Sequence, residues 1–198
     1  MVLSSWVLLL IVQTSLVATG RVDLHRRLGL LGFCLSCLLV VLGLLVATNL
    51  MVRYFDAAEA AHMQAELRAG YAFQTCDMLI FTTLIYFAFR NRFNPAPHKR
   101  LILIATIALL DAAFARWPID IVSQHFQLDC FALLLILIGH DLWTTRKIHR
   151  ATLWAGGFFV LLYPVRGPIG HTAPWQSFAA WVQNLARSSH VFDSHFFH

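Results

Sequence analysis

Hydrophobic residues form six long runs along the chain, and short polar segments separate these runs. Most of the runs reach the roughly 17–25 residues that a helix needs to cross about 30 Å of hydrocarbon. They cover residues 2–19, 28–50, 71–89, 101–117, 128–145 and 151–165. The sixth run is short and contains Gly156, Gly157 and Pro164, so five spans with a re-entrant or tilted sixth is the alternative. The pattern predicts an all-α, polytopic membrane helix bundle of about six spans.

Two segments outside the runs also have helical features. Residues 54–69 are Ala-rich, which predicts an extra helix on the outer surface. Residues 174–187 predict an interfacial amphipathic helix, because apolar residues recur there at helical spacing. These residues are Trp175, Phe178, Val182 and Leu185. We therefore expect a transmembrane helix bundle over residues 1–166 and an outer-side amphipathic helix with a flexible tail over residues 167–198.

The end of this tail is rich in histidine, which suggests a weak site for a divalent metal. The alternative is an ordinary disordered chain end. The residues concerned are His190, Asp193, His195 and His198.

Lysine and arginine are distributed unevenly between the predicted loops. The first, third and fifth loops hold ten of these residues, and the segments on the opposite side hold five. Because cytoplasmic loops of membrane proteins are enriched in Lys and Arg, we expect the odd-numbered loops to face the cytoplasm and both termini to lie outside. The net charge of +5 is ordinary for such a protein and gives no reason to expect a nucleic-acid partner.

The composition supports a membrane protein and excludes several enzyme classes. Hydrophobic residues make up 59% of the chain and charged residues 13%, whereas soluble domains average roughly 45–50% and 25%. The expected environment of this chain is therefore a lipid bilayer.

The sequence contains no Gly-rich phosphate loop, no G-x-S-x-G and no H-E-x-x-H motif, so a soluble-type hydrolase or nucleotide enzyme is unsupported. Cys34 and Cys37 lie within the second run, where small apolar packing is favoured over a redox role.

Three of the predicted spans open with a histidine followed by a basic residue. The pairs begin at His25, His98 and His149, and Asp77 and Asp129 precede the second and third of these histidines by about twenty residues. This spacing suggests three helical hairpins in parallel orientation, a candidate internal repeat. The alternative is that any hairpin turning in the cytoplasm ends in a basic turn.

Four histidines near the predicted cytoplasmic side are candidate cofactor ligands. His25, His98 and His149 stand above stripes of small residues, which is where membrane helices approach one another closely. His140 lies on the fifth span at a similar level. Two histidines on facing helices are what a six-coordinate b-type haem requires. Haem b, another metal, a quinone and simple structural anchoring all remain open for these residues.

Ionisable residues within the runs form a second group of candidates. Asp77 and Asp111 are predicted at a similar depth near the outer ends of their spans, and Asp129 and Arg116 lie close to that level. Because charges in a membrane are costly, this intramembrane polar cluster is a functional candidate. It would serve as an interhelical ion pair, for example Arg116 with Asp77 or Asp111, or as a proton or cation site. Side chains exposed to water are the third alternative.

Several motifs resemble those of a group of uncharacterised multi-pass bacterial inner-membrane proteins. The similar segments are His-Arg-Arg-Leu-Gly at residues 25–29, His-Lys-Arg-Leu at 98–101 and Leu-Asp-Ala-Ala-Phe-Ala-Arg-Trp-Pro at 110–118. The resemblance implies a bacterial inner membrane but no established activity. It also implies a further hydrophobic helix upstream of the first span, and with that helix the N-terminus would lie inside.

Together these patterns favour a protein without a recognisable catalytic site, serving as a subunit or assembly factor of a membrane complex. Its expected partners are the lipid bilayer and other membrane-protein subunits. The first alternative is a b-type haem-binding membrane redox protein. The second alternative is a proton-coupled transporter that uses Asp77 and Asp111.

Overall fold

The computed structural model describes residues 2–54 and 61–188. These residues are predominantly helical and none of them forms a strand, which confirms the predicted all-α class. The described helices are α1 (Val2–Ala18), α2 (Val22–Arg53), α3 (Ala61–Arg90), α4 (Pro95–Phe114), α5 (Asp120–Gln124), α6 (Phe126–Thr145), α7 (Arg150–Leu162), α8 (Arg166–Gly170) and α9 (Ala173–Ser188).

Three helices in the described ranges are long and apolar enough to cross a membrane: Val22–Arg53, His62–Arg90 and Gln127–Thr145. The apolar helices α1 and α7 are shorter, with 17 and 13 residues. Helix α4 has 20 residues and is not one of these three helices; it contains the charged residues Lys99, Arg100 and Asp111. Each of the six hydrophobic runs thus coincides with a helix, while the number of spans stays a prediction.

The local sequence explains where several helices begin and end. Pro95 and Pro97 lie in the first turn of α4, where the missing N–H and the fixed φ of proline are tolerated. Gly20, with φ of +75°, provides the turn between α1 and α2. Arg146 ends α6 in the left-handed conformation, with φ of 57°, and its N–H bonds to the carbonyl of Leu142.

The segment predicted as a separate helix at residues 54–69 has a different structure. Residues 61–69 form the first turns of α3 and continue directly into the third hydrophobic run. Residues 55–60 lie outside the described residues, as do the tail residues His190, Asp193, His195 and His198. The prediction of a separate surface helix was therefore wrong for residues 61–69. An Ala-rich sequence without Pro has no signal that would end the helix.

The chain divides into two compact units. Unit 1 contains Met1–Val40 and Ile80–Val160, and unit 2 contains Val41–Leu79 and Leu161–His198. Helices α2 and α3 contribute residues to both units. The boundary predicted at residue 166 falls inside unit 2.

In unit 1, α4 supplies much of the buried surface. Ala105 and Ala108, which belong to the predicted stripe of small residues above His98, are buried, whereas Ala112 and Ala115 are exposed. The stripe therefore packs against other elements only along its first half. Trp6 of α1 completes this core by donating a hydrogen bond from Nε1 to Oγ1 of Thr106, at 3.1 Å.

In unit 2, the small and polar side of α9 is buried through Ala179, Gln183 and Ala186. Gln183 accepts a hydrogen bond from Nε of Arg68 at 3.2 Å and donates one to the carbonyl of Met51 at 3.3 Å. The predicted amphipathic helix is present, but its apolar residues are divided. Trp175 and Val182 pack against the core of the unit, while Phe178, Trp181 and Leu185 are exposed.

Gly170 permits a close backbone approach within unit 2. A Cβ atom at this position would lie 2.8 Å from Cα of Ala69, so the α8 backbone would have to move. We expect Gly170→Ala to lower the free energy of unfolding by about 1–3 kcal/mol. SDS-induced unfolding of the detergent-purified protein, followed by circular dichroism, measures this change.

Gly70 provides the matched control, because it lies in α3 of the same unit and a Cβ there would meet no atom within 4 Å. Gly70→Ala should leave stability unchanged or raise it by up to about 1 kcal/mol, as expected for Ala in a helix. Equal losses in both variants would show that the close approach to Ala69 does not limit position 170.

Candidate functional site

The candidate site that contains two of the predicted histidines is a cavity in unit 1, close to the turns that the sequence predicts on the cytoplasmic side. Gly20 reverses the chain after α1, and Pro95 starts α4. As a result, His25 and His98 each occupy the first turn of a helix. The end of α3 and the following turn, with Phe89 and Arg92, complete the lining.

The cavity has a volume of about 690 Å³, within the roughly 300–1,000 Å³ typical of cofactor and ligand sites. Its apolar wall includes Trp6, Leu9, Leu10, Phe33, Ile85, Phe89, Ile102 and Leu103. The rings of Phe33 and Phe89 are stacked, with centroids 4.4 Å apart. Gly29 and Gly32 line the cavity without side chains, and a Cβ at Gly29 would meet no atom within 4 Å. The site can therefore accept a large and predominantly apolar molecule.

The part of the lining formed by the starts of α2 and α4 and by the turn before α4 is cationic, and we call it the cationic end. Arg26, Arg92 and Lys99 lie there together with the two histidines, and none of the lining residues that the structure describes is acidic. The guanidinium of Arg92 lies 4.5 Å from the ring centroids of Phe89 and Phe93, and these cation–π contacts hold it beside the apolar wall. An acidic group on a bound molecule would be attracted to this end of the cavity.

The tautomer of His98 follows from its hydrogen bond. Nδ1 lies 2.8 Å from the carbonyl oxygen of Ala88. Because a carbonyl oxygen only accepts hydrogen bonds, Nδ1 carries the proton and donates it. The neutral ring then has its lone pair on Nε2, and the Ala88 contact fixes the ring orientation. His98 is thus arranged as a histidine that can bind a metal or accept a hydrogen bond.

One ring nitrogen of His25 forms no hydrogen bond within the described residues. This nitrogen, Nδ1, is buried without a hydrogen-bond partner among the described residues, and the same is true of Oε1 of Gln13. Both residues line the cavity, where the His25 ring lies close to His98 and to the backbone of Gln13. Leaving such a buried group unsatisfied costs roughly 1–3 kcal/mol, and native proteins rarely retain one without a reason.

The other two candidate histidines do not line this cavity. His140 is exposed near the end of α6. His149 precedes α7, and its Nδ1 accepts a hydrogen bond from the backbone N–H of Ala151 at 3.1 Å. This bond satisfies one of the free N–H groups in the first turn of α7, so His149 acts as a capping residue.

The predicted intramembrane cluster is divided between the two units. Asp77 belongs to unit 2, while Asp111, Arg116 and Asp129 belong to unit 1. Asp111 is buried, and Oδ2 of Asp129 is buried without a hydrogen-bond partner among the described residues. Arg116 is exposed, and its Nη1 donates to the carbonyl of Ala112 at 2.6 Å.

Asp77, which is partly buried, forms an ion pair with the buried Arg166. Arg166 is 1% exposed, and its Nε donates to the carbonyl of Tyr163 at 3.1 Å. The guanidinium also lies 3.6 Å from the centroid of the Tyr163 ring. The charge of Asp77 is therefore balanced within unit 2 by Arg166, whose guanidinium also contacts the backbone carbonyl and the ring of Tyr163.

A second ion pair, between Asp141 and Arg100, is buried on both sides and was not predicted from the sequence. Nε of Arg100 donates to Oδ1 and Oδ2 of Asp141 at 3.0 and 3.1 Å, and Asp141 is 1% exposed. The same carboxylate accepts a hydrogen bond from the Thr152 hydroxyl at 2.6 Å and one from the backbone N–H of His149 at 3.3 Å. Asp141 thereby joins α4, α6 and the start of α7. Its presence inside a hydrophobic run was the signal that could have identified it.

Comparison with known proteins gives no match: no family model, curated protein or solved structure is similar to this chain. The function must therefore be inferred from the chemistry of the cavity and of the buried charges.

Proposed function

We propose that this chain is a membrane protein without a catalytic site that binds an amphipathic, acid-bearing molecule in the unit 1 cavity. The observation that carries this proposal is the polarity of the lining. Apolar and aromatic side chains form most of the lining, and Arg26, Arg92 and Lys99 add positive charge at the cationic end. A ligand with an apolar body and a carboxylate or phosphate would match both parts.

The setting we propose is the bacterial inner membrane, with about six spans and the basic loops in the cytoplasm. Three helices with the length and composition of spans support a membrane location. Excess Lys and Arg in the odd-numbered loops supports the orientation. In that orientation the acidic group of the ligand would lie at the cytoplasmic surface, next to His25 and His98. A subunit or assembly factor that carries such a ligand within a larger membrane complex fits these features.

Proton-coupled transport is less favoured by the arrangement of charges. A proton site requires a carboxylate whose protonation changes during transport. Asp77 is tied to the buried Arg166, which itself contacts Tyr163. This arrangement is typical of a structural ion pair, which breaks at a high free-energy cost.

The proposal can be tested with a dansyl-labelled medium-chain fatty acid and protein purified in a non-ionic detergent. Lys99→Glu replaces an attractive charge at the cationic end with a repulsive one. We expect this change to raise the Kd for the probe about tenfold, which corresponds to roughly 1.4 kcal/mol. Fluorescence titration measures the Kd, and binding of the matching dansyl-labelled alcohol should change far less.

Lys147→Glu is the matched control, because Lys147 is an exposed residue of another basic turn and does not line the cavity. It should leave the Kd for the acid unchanged. Equal losses of affinity in the two variants would contradict the proposal. So would a probe signal no greater than that of detergent micelles without protein.

A further inference from the structure

We infer that the ligand of the unit 1 cavity is a b-type haem, with His25 and His98 as its two axial ligands. This inference rests on the proposed function, because haem is an amphipathic molecule that carries two propionate groups. It goes beyond that function by naming the cofactor and the residues that would bind its iron. It also reduces the four candidate histidines to one pair.

The first support is the state of the two rings. His98 is fixed through Nδ1 by the carbonyl of Ala88, which leaves the lone pair of Nε2 available. A hydrogen bond from the non-coordinating nitrogen to a carbonyl is the usual support of a metal-binding histidine. His25 lines the same cavity close to His98, and its Nδ1 forms no hydrogen bond among the described residues. Iron between the two rings would use the Nε2 lone pair of His98 and a ring nitrogen of His25.

The second support is the space around the rings. A planar macrocycle needs a wide apolar slot rather than a narrow pore. Gly29, one turn after His25, offers such space because no atom lies within 4 Å of a Cβ placed there. The stacked rings of Phe33 and Phe89 provide a flat apolar surface on the same cavity.

The third support is the cationic end. Arg26, Arg92 and Lys99 would face the two propionates of a haem whose hydrophobic edge points to the apolar wall. A quinone has no acidic group and would leave these three charges without a role. A single metal ion would use the histidines but would leave most of the 690 Å³ cavity unfilled.

Titration of the detergent-purified, full-length protein with ferric haem tests the inference. The unsubstituted protein should show a saturable, six-coordinate low-spin absorption spectrum and the matching electron paramagnetic resonance signal. His25→Ala and His98→Ala should each abolish the six-coordinate species and weaken haem binding at least tenfold. His140→Ala, a change at an exposed histidine of the same unit, should leave the spectrum and the affinity unchanged.

A pair of glycine variants tests the cavity without changing either histidine. Gly29→Leu would project a side chain into the open space and should prevent haem binding. Gly139→Leu is its control, because a Cβ at Gly139 also meets no atom within 4 Å, yet this residue does not line the cavity. This pair keeps the test decisive if a histidine variant fails to fold.

The possible outcomes separate this inference from the proposed function. If the unsubstituted protein binds the dansyl-labelled fatty acid but not haem, the haem assignment is wrong and the proposed function stands. If it binds neither probe, both are wrong. If haem binds with an unchanged spectrum in both histidine variants, the binding is adventitious and axial ligation by His25 and His98 is overturned.

Discussion

Asp141→Asn should lower the free energy of unfolding by about 3–5 kcal/mol, the range found when one partner of a buried ion pair is removed. The substitution leaves the guanidinium of Arg100 4% exposed and without its counter-charge. It also weakens the acceptor that holds the hydroxyl of Thr152 and the backbone N–H of His149. Helices α4, α6 and α7 would lose a common attachment point. SDS-induced unfolding, followed by circular dichroism, measures the change.

The control for this prediction is Asp120→Asn, the same chemical change at an exposed residue of unit 1. It should alter stability by no more than about 0.5 kcal/mol. Replacing both members of the buried pair, with Arg100→Met and Asp141→Leu together, should cost less than Asp141→Asn alone, because no unpaired charge remains. A loss below 1 kcal/mol for Asp141→Asn would show that water reaches Arg100 in the folded protein.

The positions of the main helices could be predicted from the sequence because each coincides with a run of apolar residues. The runs of α2 and α6 contain few charged residues over the length of a span, so composition alone was decisive there. The start of α3 was missed for the opposite reason. Residues 61–69 are polar enough to suggest a surface helix, and only the backbone shows that they continue into the apolar run.

The buried charges could not be predicted in the same way. Arg100 follows His98 and Lys99 in a basic turn, so it looks like one more cytoplasmic loop residue. Its partner Asp141 is 41 residues away along the chain. Such a pair depends on tertiary packing, and the spacing of residues within one helix does not reveal it.

The histidines show both the value and the limit of sequence patterns. The sequence identified three candidates from a shared motif and a fourth, His140, from its similar level, and the structure places only His25 and His98 on the same cavity. His149 shares the motif but caps α7 through its Nδ1. The two roles use the same side chain next to the same kind of basic residue. Only the contacts of each ring nitrogen distinguish them.

Asp77→Asn should destabilise unit 2 by about 3–5 kcal/mol, because it removes the counter-charge of an arginine that is 1% exposed. The Nε of Arg166 would still donate to the carbonyl of Tyr163, but the guanidinium charge would remain buried and unmatched. If Asp77 instead served as a proton site, the same variant would retain its stability and lose uptake of a transported substrate. SDS-induced unfolding therefore discriminates between the structural and the transport role.

Glu66→Gln is the matched control within unit 2. Glu66 also lies on α3 and faces His171, but Oε1 of Glu66 and Nδ1 of His171 are 3.8 Å apart and the side chains are 68% and 54% exposed. Water screens such a pair, so its loss should cost less than about 1 kcal/mol.

A double-mutant cycle with Arg166→Met adds the decisive comparison. Asp77→Asn should cost much less in the Arg166→Met background than alone, because the buried charge that needs Asp77 is then absent. Equal costs in both backgrounds would mean that Asp77 stabilises unit 2 through contacts other than Arg166.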